Sequence, residues 1–179
     1  MHREHRSGKF GTSNPEPRTP NTESSVLSPT LAAALTAGAL VWAALLFLAP
    51  WLLSRDPPLS TAAGLIYAGA GTICHQRPER SFHLNGVQMP VCARCAGLYV
   101  SGAAAALAAS AGWRRRVGAP RALRRSFALA AAPTALTLAI ELAGVARPSN
   151  ALRGVSAVPL GAAAAWIFVR SLRAESLQG

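Results

Sequence analysis

The residues of this 179-residue chain that are best equipped for chemistry lie in one stretch, residues 74–97, which reads CHQRPERSFHLNGVQMPVCARCAG. It contains the chain's three cysteines and two of its histidines, which are Cys74, Cys92, Cys95, His75 and His83. Cys92 and Cys95 have the C-x-x-C spacing, and residues three apart on a helix share a face. Both thiols can therefore bind one atom, or each other.

Three chemistries fit these cysteines. The first is a tetrahedral metal site, most simply zinc, because Cys₃His is a common zinc ligand set and C-x-x-C is its usual half. We predict the ligands Cys74, His75, Cys92 and Cys95, with His83 as the alternative fourth ligand because an adjacent Cys-His pair binds one ion only if the backbone turns. The second is thiol–disulfide exchange, with Cys74 as the partner of the C-x-x-C pair. The third is a static disulfide or buried small hydrophobic side chains.

Other polar side chains are predicted to lie on the same face and to suit an anionic ligand such as a phosphate or a lipid headgroup. They are Gln76, Arg77, Arg80, Ser81, Arg94, Glu141, Arg147, Ser149, Asn150 and Arg153. Glu141 is a functional candidate because an ionisable residue inside an apolar span is costly. The alternatives are that Glu141 reaches water or pairs with Arg147, and that arginine–glutamate pairs only join loops.

The elements that position these residues are long segments of low charge. Such segments occur at 30–50, 95–113, 126–146 and 154–170, near the length of about 20 residues that crosses a bilayer core of about 30 Å. The stretch 59–73 is shorter and contains three glycines, which predicts a half-helix, with a fifth span as the alternative. We therefore predict an all-α, polytopic membrane helix bundle of four spans plus a short half-helix.

The composition agrees with a membrane protein. Only 14% of the residues are charged, whereas about 25% is usual in soluble domains. The predicted spans are rich in alanine and glycine, and Gly97 and Ser101 form a small-xxx-small pair that suits close helix contact in lipid. The spans should therefore pack as a tight bundle.

The distribution of the net charge of +11 predicts the orientation. Six arginines lie in the connection WRRRVGAPRALRR, which marks it as cytoplasmic. The helix at 95–113 then begins outside, so the segment 74–95 lies on the outer face. Residues 1–29 are predicted to be a disordered basic cytoplasmic tail, and residues 30–179 a single transmembrane domain of the cell (inner) membrane with both termini cytoplasmic. The expected partner is the lipid bilayer; nucleic acid is not expected, because the arginines flank membrane segments.

Two blocks of this sequence resemble a known family. CHQRPERSF, followed by G-x-x-M-P-V-C-A-R-C-A-G-L-Y and later by RPSNALR at 147–153, is similar to the DUF2085 family of small predicted membrane proteins. The resemblance covers about residues 60–170. It implies that Cys74, His75, Cys92 and Cys95 belong to one site, and it implies no particular activity.

The predicted function is that of an integral membrane protein with an outer-face zinc site beside arginines that suit an anionic or lipid-like ligand. One alternative is a membrane thiol–disulfide oxidoreductase that uses Cys92 and Cys95 with Cys74. Four-helix membrane thiol oxidases place a C-x-x-C at the outer end of a span, but they normally need a second reactive pair. The other alternative is a structural or assembly subunit.

Overall fold

The computed structural model describes residues 22–111 and 120–175, with the side chains of residues 30–111 and 123–173. In this part of the chain the elements are α1 (Thr22–Leu52), α2 (Pro57–Gly71), β1 (Ser81–Leu84), β2 (Val87–Cys92), α3 (Ala93–Ser110), α4 (Pro120–Leu142) and α5 (Asn150–Glu175). A 3-10 turn, Pro78–Arg80, precedes β1. The mostly helical fold is confirmed, and α2 is a short helix where a half-helix was predicted.

Parts of the predicted cytoplasmic face lie outside the described residues. These parts are residues 1–21 of the predicted tail and the arginines Arg114, Arg115 and Arg116. The first helix begins at Thr22, inside the segment that the sequence assigns to the tail.

The all-α prediction is wrong for residues 81–92, which form an antiparallel hairpin of β1 and β2. The turn consists of Asn85 at φ 51° and Gly86 at φ 80°. Both residues are in the left-handed region, as a two-residue type I′ turn requires, and an Asn-Gly pair favours that turn. Ser81 pairs with Cys92, so the hairpin returns the chain to the start of α3.

Helix α3 packs between α1 and α5, and its contact with α5 is very close. A Cβ atom at Gly97 would overlap the carbonyl oxygen of Gly154, and one at Gly161 would overlap the backbone of Leu98. The Ser101 hydroxyl donates to the carbonyl oxygen of Gly97 at 2.7 Å. Small residues thus allow the two backbones to touch, as the Gly97 and Ser101 spacing predicts.

The two ends of the bundle are built from different elements. At one end, Ala32 of α1 packs with Ala106 and Ala109 of α3 and Val169 of α5. At the other end, Leu46 of α1 packs with the hairpin, the end of α2 and the first turn of α3. The second end therefore carries the segment 74–95.

Two helical segments, Thr30–Leu52 and Asn150–Arg173, are long and apolar enough to cross a membrane, with mean hydropathies of 2.2 and 1.5. Among the described residues, α3 and α4 do not meet that criterion. Helix α3 is rich in alanine and glycine and contains Arg94, and α4 has arginines near its start and Glu141 near its end. Large apolar side chains nevertheless point outward from the bundle, including Leu129 and Leu136 of α4 and Val155 of α5. An apolar outer surface of this kind suits lipid contact.

Candidate functional site

The three cysteines form a cluster, called here the thiol cluster, in which the Sγ atoms of Cys74, Cys92 and Cys95 all lie within 4.8 Å of one another. Cys74 follows α2, and its amide donates to the carbonyl oxygen of Ala70 at 2.9 Å. Cys92 ends β2 and is the N-cap residue of α3, whose first turn contains Cys95. Cys74 and Cys92 are buried, and all three are free thiols. The end of α2 and the junction of β2 with α3, 18 residues further along the chain, thus bring their sulfur atoms together.

A set of directed hydrogen bonds holds Cys74 against β2. The amide of Cys92 donates to the Cys74 sulfur at 3.2 Å. Gln76 has φ 45°, a left-handed conformation that is uncommon for a residue with a side chain. Its Nε2 donates to the carbonyl oxygens of Tyr67 at 2.7 Å and Pro90 at 2.8 Å. Gln76, one of the predicted ligand-binding residues, therefore fixes the turn after the first thiol.

Two residues that the sequence analysis did not single out complete this support. Gln88 Nε2 donates to the carbonyl oxygen of Gln76 at 2.6 Å, and the Tyr67 hydroxyl donates to the carbonyl oxygen of Gln88. Tyr67 is the single polar aromatic residue of the otherwise small and aliphatic helix α2. That contrast in composition was the available signal.

The electrostatics of the thiol cluster favour one thiolate. A hydrogen bond from the Cys95 side chain lowers the pKa of Cys92 to about 5. Burial opposes this shift, and a weaker hydrogen bond from the Cys74 side chain adds to it. A thiolate is the form of cysteine that binds metals and attacks disulfides. The cluster can therefore bind a soft cation or exchange disulfides.

Neither histidine belongs to this group of donor atoms. His75 and His83 are both exposed, and the three donors within 4.8 Å of one another are the thiols alone. His75 follows Cys74 directly and precedes the left-handed residue Gln76, so the backbone does turn at this point.

A second cluster forms around the carboxylate of Glu141, and we call it the Glu141 cluster. Oε1 accepts from Arg153 at 2.9 Å and from Arg80 at 3.1 Å, and Oε2 accepts from Arg94 at 3.4 Å. The Glu141 side chain is 6% exposed. Among the described residues, its ion-pair partners are thus these three arginines, and Arg147 is not one of them. One carboxylate joins the 3-10 turn, α3 and α5.

Beside this cluster lies a cavity of about 410 Å³, called here the arginine cavity. Its lining combines four arginines, two glutamates and two small residues, which are Arg77, Arg80, Arg147, Arg153, Glu79, Glu141, Gly144 and Ala146. The lining therefore carries an excess of positive charge. Glu79 and the two small residues were not among the predicted site residues.

The turn after α4 shapes one wall of the cavity. Gly144 has φ 69°, its amide donates to the carbonyl oxygen of Glu141, and the amide of Val145 donates to that of Ile140. This pair of bonds is the Schellman motif that ends many helices. It reverses the chain just after Glu141, so that Ala146 and Arg147 return to line the cavity.

The remaining predicted residues support the site instead of lining the cavity. Asn150 Nδ2 donates to the carbonyl oxygen of Ser81 at 2.9 Å, and Asn150 Oδ1 accepts from Arg153 at 2.8 Å. The Ser149 hydroxyl accepts from the amide of Leu152 at 3.2 Å, which caps the first turn of α5. Because Ser81 pairs with Cys92, this chain of contacts connects the arginine cavity to the thiol cluster.

Comparison with known proteins defines the family. Residues 74–167, more than half of the chain, match the family described as predicted membrane protein (DUF2085). The chain belongs to the DUF2085 family. This match confirms the resemblance seen in the sequence blocks, and the matched region contains both clusters and the cavity.

The curated relatives match only short segments. The chain is 56% identical over 34 residues to an uncharacterized protein of Methanocaldococcus jannaschii, which covers 19% of this chain and 22% of that protein. It is 54% identical over 28 residues to an uncharacterized protein of Methanothermobacter thermautotrophicus, which covers 16% of this chain and 25% of that protein. The matches therefore span about a quarter or less of the relatives' length. No solved structure matches the chain.

Proposed function

We propose that this protein is a multi-pass membrane protein in which a metal ion, most simply zinc, is bound by the thiol cluster and organises a binding site for an anionic or lipid-like ligand. Cys74, Cys92 and Cys95 would hold the ion, with His75 as the fourth ligand. The bound ion would supply a rigid cross-link between α2, β2 and α3. The ligand would bind in the arginine cavity.

The donor set fits such an ion. In a tetrahedral site with Zn–S bonds of about 2.3 Å, two sulfur atoms are about 3.8 Å apart. The three Sγ atoms, within 4.8 Å of one another, need only small shifts to reach that spacing. The amide of Cys92, which donates to the Cys74 sulfur, is the kind of outer contact that orients a ligand sulfur.

The observation that carries this proposal is the strand pairing of Ser81 with Cys92. On one side of this pair lies the thiol cluster. On the other side, the carbonyl oxygen of Ser81 accepts from Asn150, and Arg80, the residue before Ser81, binds Glu141. A cross-link at the thiols would thus hold the cavity's arginines in place.

We further propose four spans, because α3 and α4 run alongside the two candidate spans. Helix α3 packs with α1 at both of its ends, and it contacts α5 at Gly97 near its start and at Ala106 and Ala109 near its end. Its 18 residues form a helix about 27 Å long. Helix α4 runs antiparallel to α5, where the Thr134 hydroxyl donates to the carbonyl oxygen of Ser156 at 2.8 Å. With the arginine-rich connection 114–125 in the cytoplasm, both clusters lie on the outer face of the inner membrane and both termini lie in the cytoplasm.

Native mass spectrometry and elemental analysis of the detergent-purified full chain test the metal site. We expect about one zinc per chain and three reduced thiols. Cys92→Ser should lose most of the zinc, and His75→Ala should weaken its binding. His83→Ala is the matched control, because His83 is also exposed and also belongs to the segment 74–95; it should keep the zinc.

The opposite result would favour the oxidoreductase. A zinc-free protein whose Cys92–Cys95 disulfide forms and exchanges with an added dithiol would overturn the metal site. All variants should first elute as a single species in detergent, so that loss of metal is distinguished from loss of fold.

A further inference from the structure

We propose that the anion bound in the arginine cavity is a dianionic phosphomonoester, held by Arg77 and Arg147. This inference rests on the proposed function, because it names the chemical class of the ligand for the same cavity. It follows from three features of the lining: the uncommitted arginines, the geometry of their side chains and one buried donor.

The first feature is the balance of charge. Glu141 already accepts from Arg80 and Arg153, the two other arginines of the lining. Arg77 and Arg147 form no ion pair with the described residues, although both line the cavity. The four arginines and two glutamates of the lining leave two positive charges in excess. Arg94, which binds Glu141 beside the cavity, adds a third positive charge. A ligand with two negative charges offsets more of this excess than one with a single charge.

The second feature is the shape of the donor groups. Guanidinium presents parallel N–H groups that bind two oxygen atoms of a phosphate or carboxylate at once. Arg77 precedes the 3-10 turn, and Arg147 follows the turn after α4, so the two guanidinium groups come from different walls of the cavity. A phosphomonoester has three terminal oxygen atoms and can accept from both groups, whereas a carboxylate has two.

The third feature is a buried donor without a partner. Arg153 is 7% exposed, and its Nε has no hydrogen-bond acceptor among the described residues. Leaving such a donor unsatisfied is costly, which indicates that an acceptor is missing. Arg153 also lines the cavity, but its Nε has almost no accessible surface, so an oxygen atom of the ligand reaches this donor only when the guanidinium group turns toward the cavity.

The same phosphomonoester chemistry has two sources, a lipid headgroup and free phosphate. Leu142 and Val145 flank the turn that shapes the cavity, and each is 77% exposed. Exposed apolar side chains beside the cavity suit the acyl chains of phosphatidic acid. The experiment therefore compares phosphatidic acid with inorganic phosphate.

Binding to the detergent-purified full chain is measured by native mass spectrometry for lipids and by calorimetry for inorganic phosphate. The measurements are made at pH 8, where a phosphomonoester, with a second pKa of about 6, is dianionic. Phosphatidylglycerol with the same acyl chains provides a phosphodiester with one charge. We expect phosphatidic acid to bind about ten-fold tighter than phosphatidylglycerol, because the diester lacks one charge and one terminal oxygen.

Substitutions assign the binding to the cavity. Arg77→Gln and Arg147→Gln should each weaken phosphatidic acid binding about ten-fold, and Arg147→Lys should recover part of the loss. Arg124→Gln is the matched control, because this substitution removes the same charge at a site away from the cavity. Arg124 is exposed in the first half of α4, whereas Glu141 lies near the end of that helix. Elution of each variant as a single species in detergent shows that it is folded, whether or not it binds zinc.

The outcomes separate the two proposals. Tight binding of inorganic phosphate alone would support the phosphomonoester and identify a soluble source. Equal, arginine-dependent binding of phosphatidic acid and phosphatidylglycerol would overturn the dianion and leave an anion-binding cavity. Binding that no arginine substitution weakens, or no binding of any of the three probes, would overturn both.

Discussion

The interface between α3 and α5 and the end of the bundle that carries the two clusters are stabilised in opposite ways. At the interface, glycine allows backbones to touch, and Gly97 and Gly161 have no room for a Cβ atom. At the cluster end, one carboxylate binds three arginines, and three sulfur atoms converge. The interface therefore depends on glycine residues, which have no side chain, and the cluster end depends on charged and polar side chains.

The two regions therefore rely on different forces. Our proposal places α3 and α5 in lipid, where no hydrophobic force drives helices together and close packing of small residues stabilises their contact. At the cluster end, charged groups are buried within 4 Å of opposite charges, and removing one partner leaves the others uncompensated. Three substitutions test this comparison.

The largest effect is expected for Glu141→Gln. Its carboxylate compensates three arginines, and Arg153 is almost as buried as Glu141 itself. Without this charge, the buried guanidinium of Arg153 is unpaired, which should lower the free energy of unfolding by about 3 kcal/mol. Reversible unfolding in mixed detergent micelles measures the change.

Glu79→Gln is the control for this prediction. It removes the same charge from the same cavity, but the Glu79 carboxylate has no ion pair with the described residues. Its free energy of unfolding should stay within about 0.5 kcal/mol of the unmodified chain. Equal losses for the two variants would contradict a specific role of the Glu141 cluster.

A smaller effect is expected for Gly97→Ala at the α3–α5 interface. The new methyl group would overlap the carbonyl oxygen of Gly154, and because that atom belongs to a backbone, the helices must separate. Overpacking of this kind costs about 2 kcal/mol, measured in the same unfolding experiment. Gly64→Ala in α2 is the matched control, because no heavy atom lies within 4 Å of its Cβ position; it should gain up to about 1 kcal/mol in stability from helix propensity.

The smallest effect is expected for Asn150→Ala, which removes the contact between the hairpin and α5. The variant loses the hydrogen bond that Asn150 donates to the carbonyl oxygen of Ser81 and the one that it accepts from Arg153. The free energy of unfolding should fall by about 1 kcal/mol. Asn150→Asp keeps the acceptor for Arg153 and loses the donor to Ser81. If the alanine variant loses as much stability as Glu141→Gln, the ranking of forces at the cluster end is wrong.

The positions of the helices were predictable from the sequence, because uncharged stretches of the right length are rare outside membrane helices. The predicted spans 95–113 and 154–170 correspond to α3 and α5, with ends shifted by a few residues. The hairpin is not among the predicted elements, although Asn85-Gly86 is a turn signal, because the C-x-x-C spacing of Cys92 and Cys95 favours a helix at this point. Residues 87–92 are instead paired with β1.

The site was predictable in its composition and not in its contacts. The distribution of arginines predicts the orientation of the helices, and this orientation predicts which side chains lie at the same end of the bundle. The site arginines and Glu141 could therefore be assigned to one end. Which arginines bind Glu141 depends on the rotation of α4 and α5 about their axes, and alanine-rich helices give little indication of that rotation. The role of Gln76 depends on a left-handed backbone that glutamine does not signal.

X-ray absorption spectroscopy at the zinc edge, on the full chain purified without added metal, tests most directly whether the three thiols share one ion. The account predicts zinc bound by three sulfur atoms at about 2.3 Å and one nitrogen atom at about 2.0 Å, with one sulfur fewer in Cys95→Ser. A zinc spectrum without sulfur ligands, or a purified protein with no bound metal and a Cys92–Cys95 disulfide, would contradict it.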